Sequence, residues 1–253
     1  MHHFVIAFIV FCCVFGSAVL GLCLRAILPE RHLSEESIGV VKLTTGLIAT
    51  MAALVLGLLI SSAKNSLDTV NGELVHNAAN VVQLDRVLAR YGPETQEVRG
   101  LLKLMFGTSI QILSSGDPAQ LARLGSPETT LRVEAFQRKL GELSPGTAAQ
   151  RQFQASALEI SDQVLALRRL TLLQSVGALP TPLLVTLVVW LSIIFAAFGM
   201  FGSFNWTVLA ALCLGALSTS GAIFLILEMN TPLNGVITVS VEPMREALAM
   251  LGR

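Results

Sequence analysis

Charge is what this chain has least of. Only 13% of its 253 residues are Asp, Glu, Lys or Arg, and 17 basic and 17 acidic side chains cancel to a formal net charge of zero. Without a basic surplus there is no field to hold nucleic acid. Cysteine is scarce too. Cys12, Cys13, Cys23 and Cys213 lie in apolar segments without metal-site spacing, as small packing residues do. The four histidines, His2, His3, His32 and His76, are scattered. No phosphate loop, Gly-rich dinucleotide turn, CxxC or HExxH motif occurs, and no Ser, His and acid are grouped as a triad motif requires. Carboxylates are frequent mid-chain, where a solvated helix face accounts for them. The reading is of a protein that is not an enzyme, with no metal and no cofactor.

Apolar runs are abundant instead. Hydrophobic residues make up 53% of the chain and mean hydropathy is +0.69, too apolar for a soluble globular domain. The longest run, Ser37 to Ala63, is broken by one charge, Lys42. It exceeds the roughly 20 residues a helix needs to cross a bilayer. Nothing stops that helix at its far end: Lys64 to Arg90 has no proline and one glycine, Gly72. The apolar period continues through Leu67, Val70, Leu74, Ala78, Val81, Leu84 and Leu88. One helix is expected to leave the membrane and project into water.

A second stripe runs along the same helix. At ~100° per residue, Gly46, Thr50, Ala53, Gly57, Ser61 and Lys64 fall within ~40° of one another's mean direction, with Lys42 just outside. Within the bilayer that face carries only glycine, alanine and hydroxyl side chains. Such a face either packs tightly on another helix or lines a cavity.

Three further spans are expected. Phe4 to Leu24 is the first; a signal peptide competes with it, but the leading His2 and His3 and the length of the run favour a retained helix. Pro29 breaks the short connection after it, and Ser34 is placed to cap the next helix, with Glu35 and Glu36 at its positive end. Pro182 to Phe201 and Trp206 to Leu227 form a hairpin joined by a tight turn, with Trp206 at an interfacial position. Between the two pairs lies a polar insert. Gly92-Pro93 ends one helix and starts the next, which runs to about Leu113. Short helices follow from Pro118 and from Pro127, then a longer one from Thr147 to Val176. Pro243 to Leu251 forms a last amphipathic helix.

The expected architecture is all-α: residues 1–63 a first membrane pair, 64–179 a helical cytoplasmic insert, 180–229 a second membrane hairpin and 230–253 a cytoplasmic C-terminal segment. Sidedness follows from basic residues near span ends. Lys64, Arg168, Arg169, Arg245 and Arg253 fall on the insert's side, against Arg25 and Arg31 opposite. Insert and termini are therefore placed in the cytoplasm of a cell's inner (plasma) membrane. That topology brings Glu228 to a depth similar to Lys64, so it is expected to pair with Lys64 or another base such as Arg168; Lys64 snorkelling alone is the competing reading. Asp85, Arg86 and Tyr91, at the far end of the projecting helix, are expected to hold the following helix in place.

The chain resembles the bestrophin-like domain family of bacterial membrane proteins. The matching residues are Leu28-Pro29-Glu30 and His32-Leu33, the block GLIATMAALVLGLL from Gly46 to Leu59, Leu84 to Ala89 and Tyr91-Gly92-Pro93-Glu94. Arg168, Pro180, Pro182, Trp190, Phe198-Gly199, Glu228, Pro232, Gly235 and Pro243 complete the pattern. The resemblance implies a remote kinship to true bestrophins, which are pentameric anion channels with four spans and a helical cytoplasmic part. True bestrophins narrow the pore with bulky apolar side chains on the second span and bind calcium through acidic clusters. Here that face is small residues, no compact acidic cluster is visible, and calcium gating does not carry over.

The expectation is a homo-oligomer in the lipid bilayer, by resemblance a pentamer, conducting small inorganic ions, with anions expected over cations. Lys42, Gly46, Thr50, Ala53, Gly57, Ser61 and Lys64 of the second span would line its pore. The alternative is a membrane-anchored helical scaffold whose insert binds a partner protein, with the stripe as a packing seam.

Overall fold

Fifty-seven consecutive residues, Glu35–Tyr91, form a single helix, α2. No proline removes a backbone donor along it, so the hydrogen-bond ladder has no forced break. At 1.5 Å per residue it is about 85 Å long, far more than a bilayer core requires. It ends where Gly92 takes φ 142°, a backbone region open to glycine and costly for other residues. Thr95, fully buried, closes the end by donating its hydroxyl to the Leu88 carbonyl at 2.6 Å and the Gly92 carbonyl at 2.8 Å.

The structure is a computed structural model describing residues 2–27, 35–174, 181–202, 204–233 and 235–252. Helix α1 is His2–Ile27; a 3₁₀ turn at Pro93–Thr95 leads into α3, Gln96–Ser115. Then come α4 Pro118–Leu124, α5 Pro127–Gly141 and α6 Ala148–Gln174. Helices α7 Thr181–Phe201, α8 Trp206–Met229 and α9 Glu242–Met250 complete the chain. Among the described residues there is no strand. Helix starts carry their own signals: the side chains of Asp117, Ser126 and Asn205 accept from the amides of Ala119, Thr129 and Val208. The Ser34 cap, the Pro29 and Pro180 breakers, Arg31 and the Arg168 and Arg169 side chains lie outside the described residues.

The chain divides into two units. The first comprises residues 1–65 and 178–230, the second 66–177 and 231–253. Among the described residues four helices are long and apolar enough to cross a membrane: α1, α2, α7 and α8. In the first unit α1 packs closely on α7 and α8. Val10, Val14, Ala18 and Leu22 recur every fourth residue on α1 and face Leu187, Ile194 and Ile223 in one buried cluster. Arg25 at the end of α1 donates to the Phe201 carbonyl at 3.1 Å and also to that of Gly202, so a cation satisfies acceptors at the C-terminal end of α7.

The second unit has a separate core. Val70, Leu84 and Leu88 of α2 meet Leu102 and Phe106 of α3, Phe136 and Leu140 of α5, and Ala157 of α6. The C-terminal segment joins it: Leu233, Met244 and Leu251 are buried in the same cluster. Each fully buried side chain of this size contributes about 2 kcal/mol. The amphipathic α9 is thereby one wall of the insert's core.

A sparsely packed second span and its supports

Helix α2 differs from the other three spans in how little of it is covered. Of its most apolar window 11% is buried, against 28% for each of α1, α7 and α8. The buried residues are Thr45, Ala52, Leu59 and Ala63, which share one direction. The small stripe lies about 135° around the helix from them at ~100° per residue, and Gly46, Thr50, Ala53, Gly57 and Ser61 are all exposed. A methyl group added at Gly46 or Gly57 would meet nothing within 4 Å. Leu43, Leu47, Leu54 and Leu58 occupy the adjoining arc and are 60–78% exposed. So α2 offers the chain one face, and leaves a small polar face and a leucine face without cover.

Two open grooves flank its N-terminal part. One, about 410 Å³, runs between Lys42, Gly46 and Ala49 and the α7 residues Phe198 and Phe201. The other, about 500 Å³, lies on the far side of Thr45, against Leu20 and Leu24 of α1 and Ile193 of α7. The hydroxyls of Thr44 and Thr50 are returned to carbonyls four residues back, at Val40 and Gly46, both at 3.0 Å, so each keeps acceptor capacity. Lys42 and Lys64 are both exposed. They stand 22 residues apart, about 33 Å along a helix, which matches the thickness of the hydrocarbon core.

Glu228, only 4% exposed near the end of α8, accepts a hydrogen bond from His3 Nδ1 at 3.1 Å, in the tautomer that carries its proton there. The rings of Phe4 on α1 and Phe224 on α8 also meet, at 4.5 Å between centroids. A buried carboxylate is costly unless partnered, and here α1 supplies a partner that the sequence reading did not consider.

In the second unit Asp85, 3% exposed, receives the Arg99 guanidinium in a two-pronged arrangement, Nε to Oδ1 at 2.7 Å and Nη2 to Oδ2 at 2.9 Å. The Gly252 amide also donates to Oδ2, at 3.1 Å. Burial pushes the Asp85 carboxyl up, but the bonds from Arg99 and Gly252 and the charges of Arg99 and Lys103 outweigh it and hold the carboxyl below its ordinary range. The Asp85 bond raises Arg99 in turn, against burial. Lys103 donates to the Leu251 carbonyl at 3.0 Å. One carboxylate on α2 therefore holds both α3 and the end of the chain. Arg86 takes no part in this; it is exposed, and the cation on Asp85 comes from fourteen residues away. Tyr91 is buried, with its carbonyl accepting from the Gln150 side chain at 3.1 Å.

The family model for the bestrophin-like domain matches residues 11–244. The chain belongs to that family. Comparison with curated proteins and comparison with solved structures both find no match. A bestrophin-like chain with four helices of spanning length is a multi-pass membrane protein, related by family to bestrophin channels. Three features of this bestrophin-like chain escaped the sequence reading: His3 beside Glu228, Arg99 beside Asp85, and the crossing of α1 and α7. For Arg99 a signal existed, an arginine one turn into the helix that follows the Gly92 stop. For His3 there was none, since 225 residues separate it from its partner.

Proposed function

We propose that the protein is an oligomeric ion channel, selective for anions, in which α2 lines a central pore. The observation that carries this reading is the division of α2 into faces: Gly46, Thr50, Ala53, Gly57 and Ser61 lie off its buried side and are exposed on the single chain. In a ring of subunits, five by kinship with bestrophins, the small face borders the axis and the leucine face meets the neighbouring copy. Lys42 and Lys64 bracket the tube. They raise the local anion concentration and repel cations, while Asp68 beyond Lys64 opposes them at the inner end. The hydroxyls of Thr50 and Ser61 replace part of an anion's hydration shell. The insert and both termini lie on the cytoplasmic side, following the bias of basic residues.

The test is the reversal potential of purified protein in planar bilayers under a salt gradient. Lys42→Glu and Lys64→Glu should each shift permeability toward cations. If neither changes selectivity, and large residues on the small face break the oligomer, the stripe is a packing seam and the protein is a membrane-anchored scaffold.

A further inference from the structure

Asn77 is the anomaly on the core face of α2. Its neighbours on that face, Leu74, Val81 and Leu84, are buried apolar residues, as the period of the helix requires. Its Oδ1 is buried and has no hydrogen-bond partner among the described residues. An amide oxygen left so loses its hydration without compensation, which is why natural cores pair nearly all such atoms.

The same side chain borders a cavity of about 100 Å³ inside the second unit. Helices α2, α3, α5 and α6 and the C-terminal segment wall it, with Leu102, Phe106, Val133, Phe136 and Val164 among the apolar surfaces. Polar groups are few: Asn77, Ser109 and Ser161. The Ser109 hydroxyl donates to the Met105 carbonyl at 3.0 Å, so toward the cavity it offers acceptor capacity, as Asn77 Oδ1 does. No lysine, arginine or histidine is among the lining residues, which disfavours a carboxylate or phosphate.

We propose that this cavity binds a small neutral molecule with an apolar body and one hydroxyl, of the size and chemistry of a phenol, and that Asn77 receives the hydroxyl. A hydroxyl donates to Oδ1 and can accept from the amide nitrogen of the same side chain. At about 100 Å³ the cavity is smaller than the roughly 150 Å³ apolar cavity that admits benzene, so a single ring is the upper limit of what it takes. Water alone would satisfy the amide and leave the apolar walls unused. The site stands apart from the channel reading, and its test does not depend on flux.

Met105 and Met244 line the cavity and report on it directly. The full-length protein, labelled with ¹³C in its methionine methyl groups and held in lipid nanodiscs, is titrated with phenol, with anisole and with benzene. Anisole keeps the ring and oxygen but has no proton to donate. Phenol should shift the Met105 and Met244 resonances saturably, at concentrations at least tenfold below those anisole and benzene require. In Asn77→Leu, phenol should lose that advantage. Equal response to the three probes overturns the proposal, as does a phenol preference that survives Asn77→Leu. Absence of any shift at Met105 and Met244 means a water-filled void, and also overturns it. The comparison of phenol with anisole is made on the unsubstituted protein, so it decides the matter even where Asn77→Leu does not fold.

Discussion

Gly21 on α1 and Gly199 on α7 let the two helices touch backbone to backbone. A Cβ on Gly21 would stand 2.0 Å from the Ala196 carbonyl oxygen, and one on Gly199 would stand 2.0 Å from that of Ala18. Neither distance is possible for a real carbon. In lipid, where burial of apolar surface contributes little between helices, such close approach is a main source of attraction. Gly21→Ala and Gly199→Ala should each force the helices apart and cost about 2–3 kcal/mol. A thermal scan in detergent should show both midpoints falling well below that of Gly16→Ala, where an added methyl meets nothing.

Asp85→Asn should destabilise the second unit by about 3 kcal/mol, because Arg99 is left beside a neutral amide. The pH dependence follows from the lowered carboxyl. Its contribution is present above the ordinary titration of an unfolded aspartate, near about 3.9, and is lost as pH falls through the lower folded value. Denaturant melts of the wild type should weaken as pH drops below about 4, and this part of the decline should be missing in Asp85→Asn.

On the small face of α2, Ala53→Leu and Gly57→Leu should abolish flux in liposomes while the oligomer persists in size-exclusion chromatography. Nothing lies within 4 Å of a methyl at Gly57, so the single chain has room for the larger side chain. Loss of the oligomer instead would identify the face as a seam.

His3→Ala should lower the thermal midpoint by an amount equivalent to about 2 kcal/mol, the usual worth of a hydrogen bond to a charged group. His76→Ala, at an exposed position, provides the control. A His3→Ala protein as stable as the control would leave the contact with Glu228 without energetic weight.

A cysteine placed at Ser115, at the end of α3, should resist membrane-impermeant maleimide in intact cells and react once the membrane is opened. Labelling from outside would invert the proposed sidedness.

The spans, the unbroken α2 and nearly every helix end of the insert were legible in the sequence, because their causes are local. Apolar length decides a span, and the absence of proline between Glu35 and Tyr91 permits one helix. Gly92-Pro93, Asp117-Pro118 and Ser126-Pro127 carry turn and cap chemistry in adjacent residues. The small stripe was equally legible, being a matter of helical period. What only the tertiary structure decided depends on residues far apart in sequence. It brought His3 to Glu228, Arg99 and Gly252 to Asp85, and Gly21 to the backbone of α7, and it drew α9 into the insert's core. It also placed Asn77 on a cavity wall rather than against a partner. A period of 3.6 residues says which side chains share a face. Which other face they meet is set by packing the whole unit, and no local pattern encodes it.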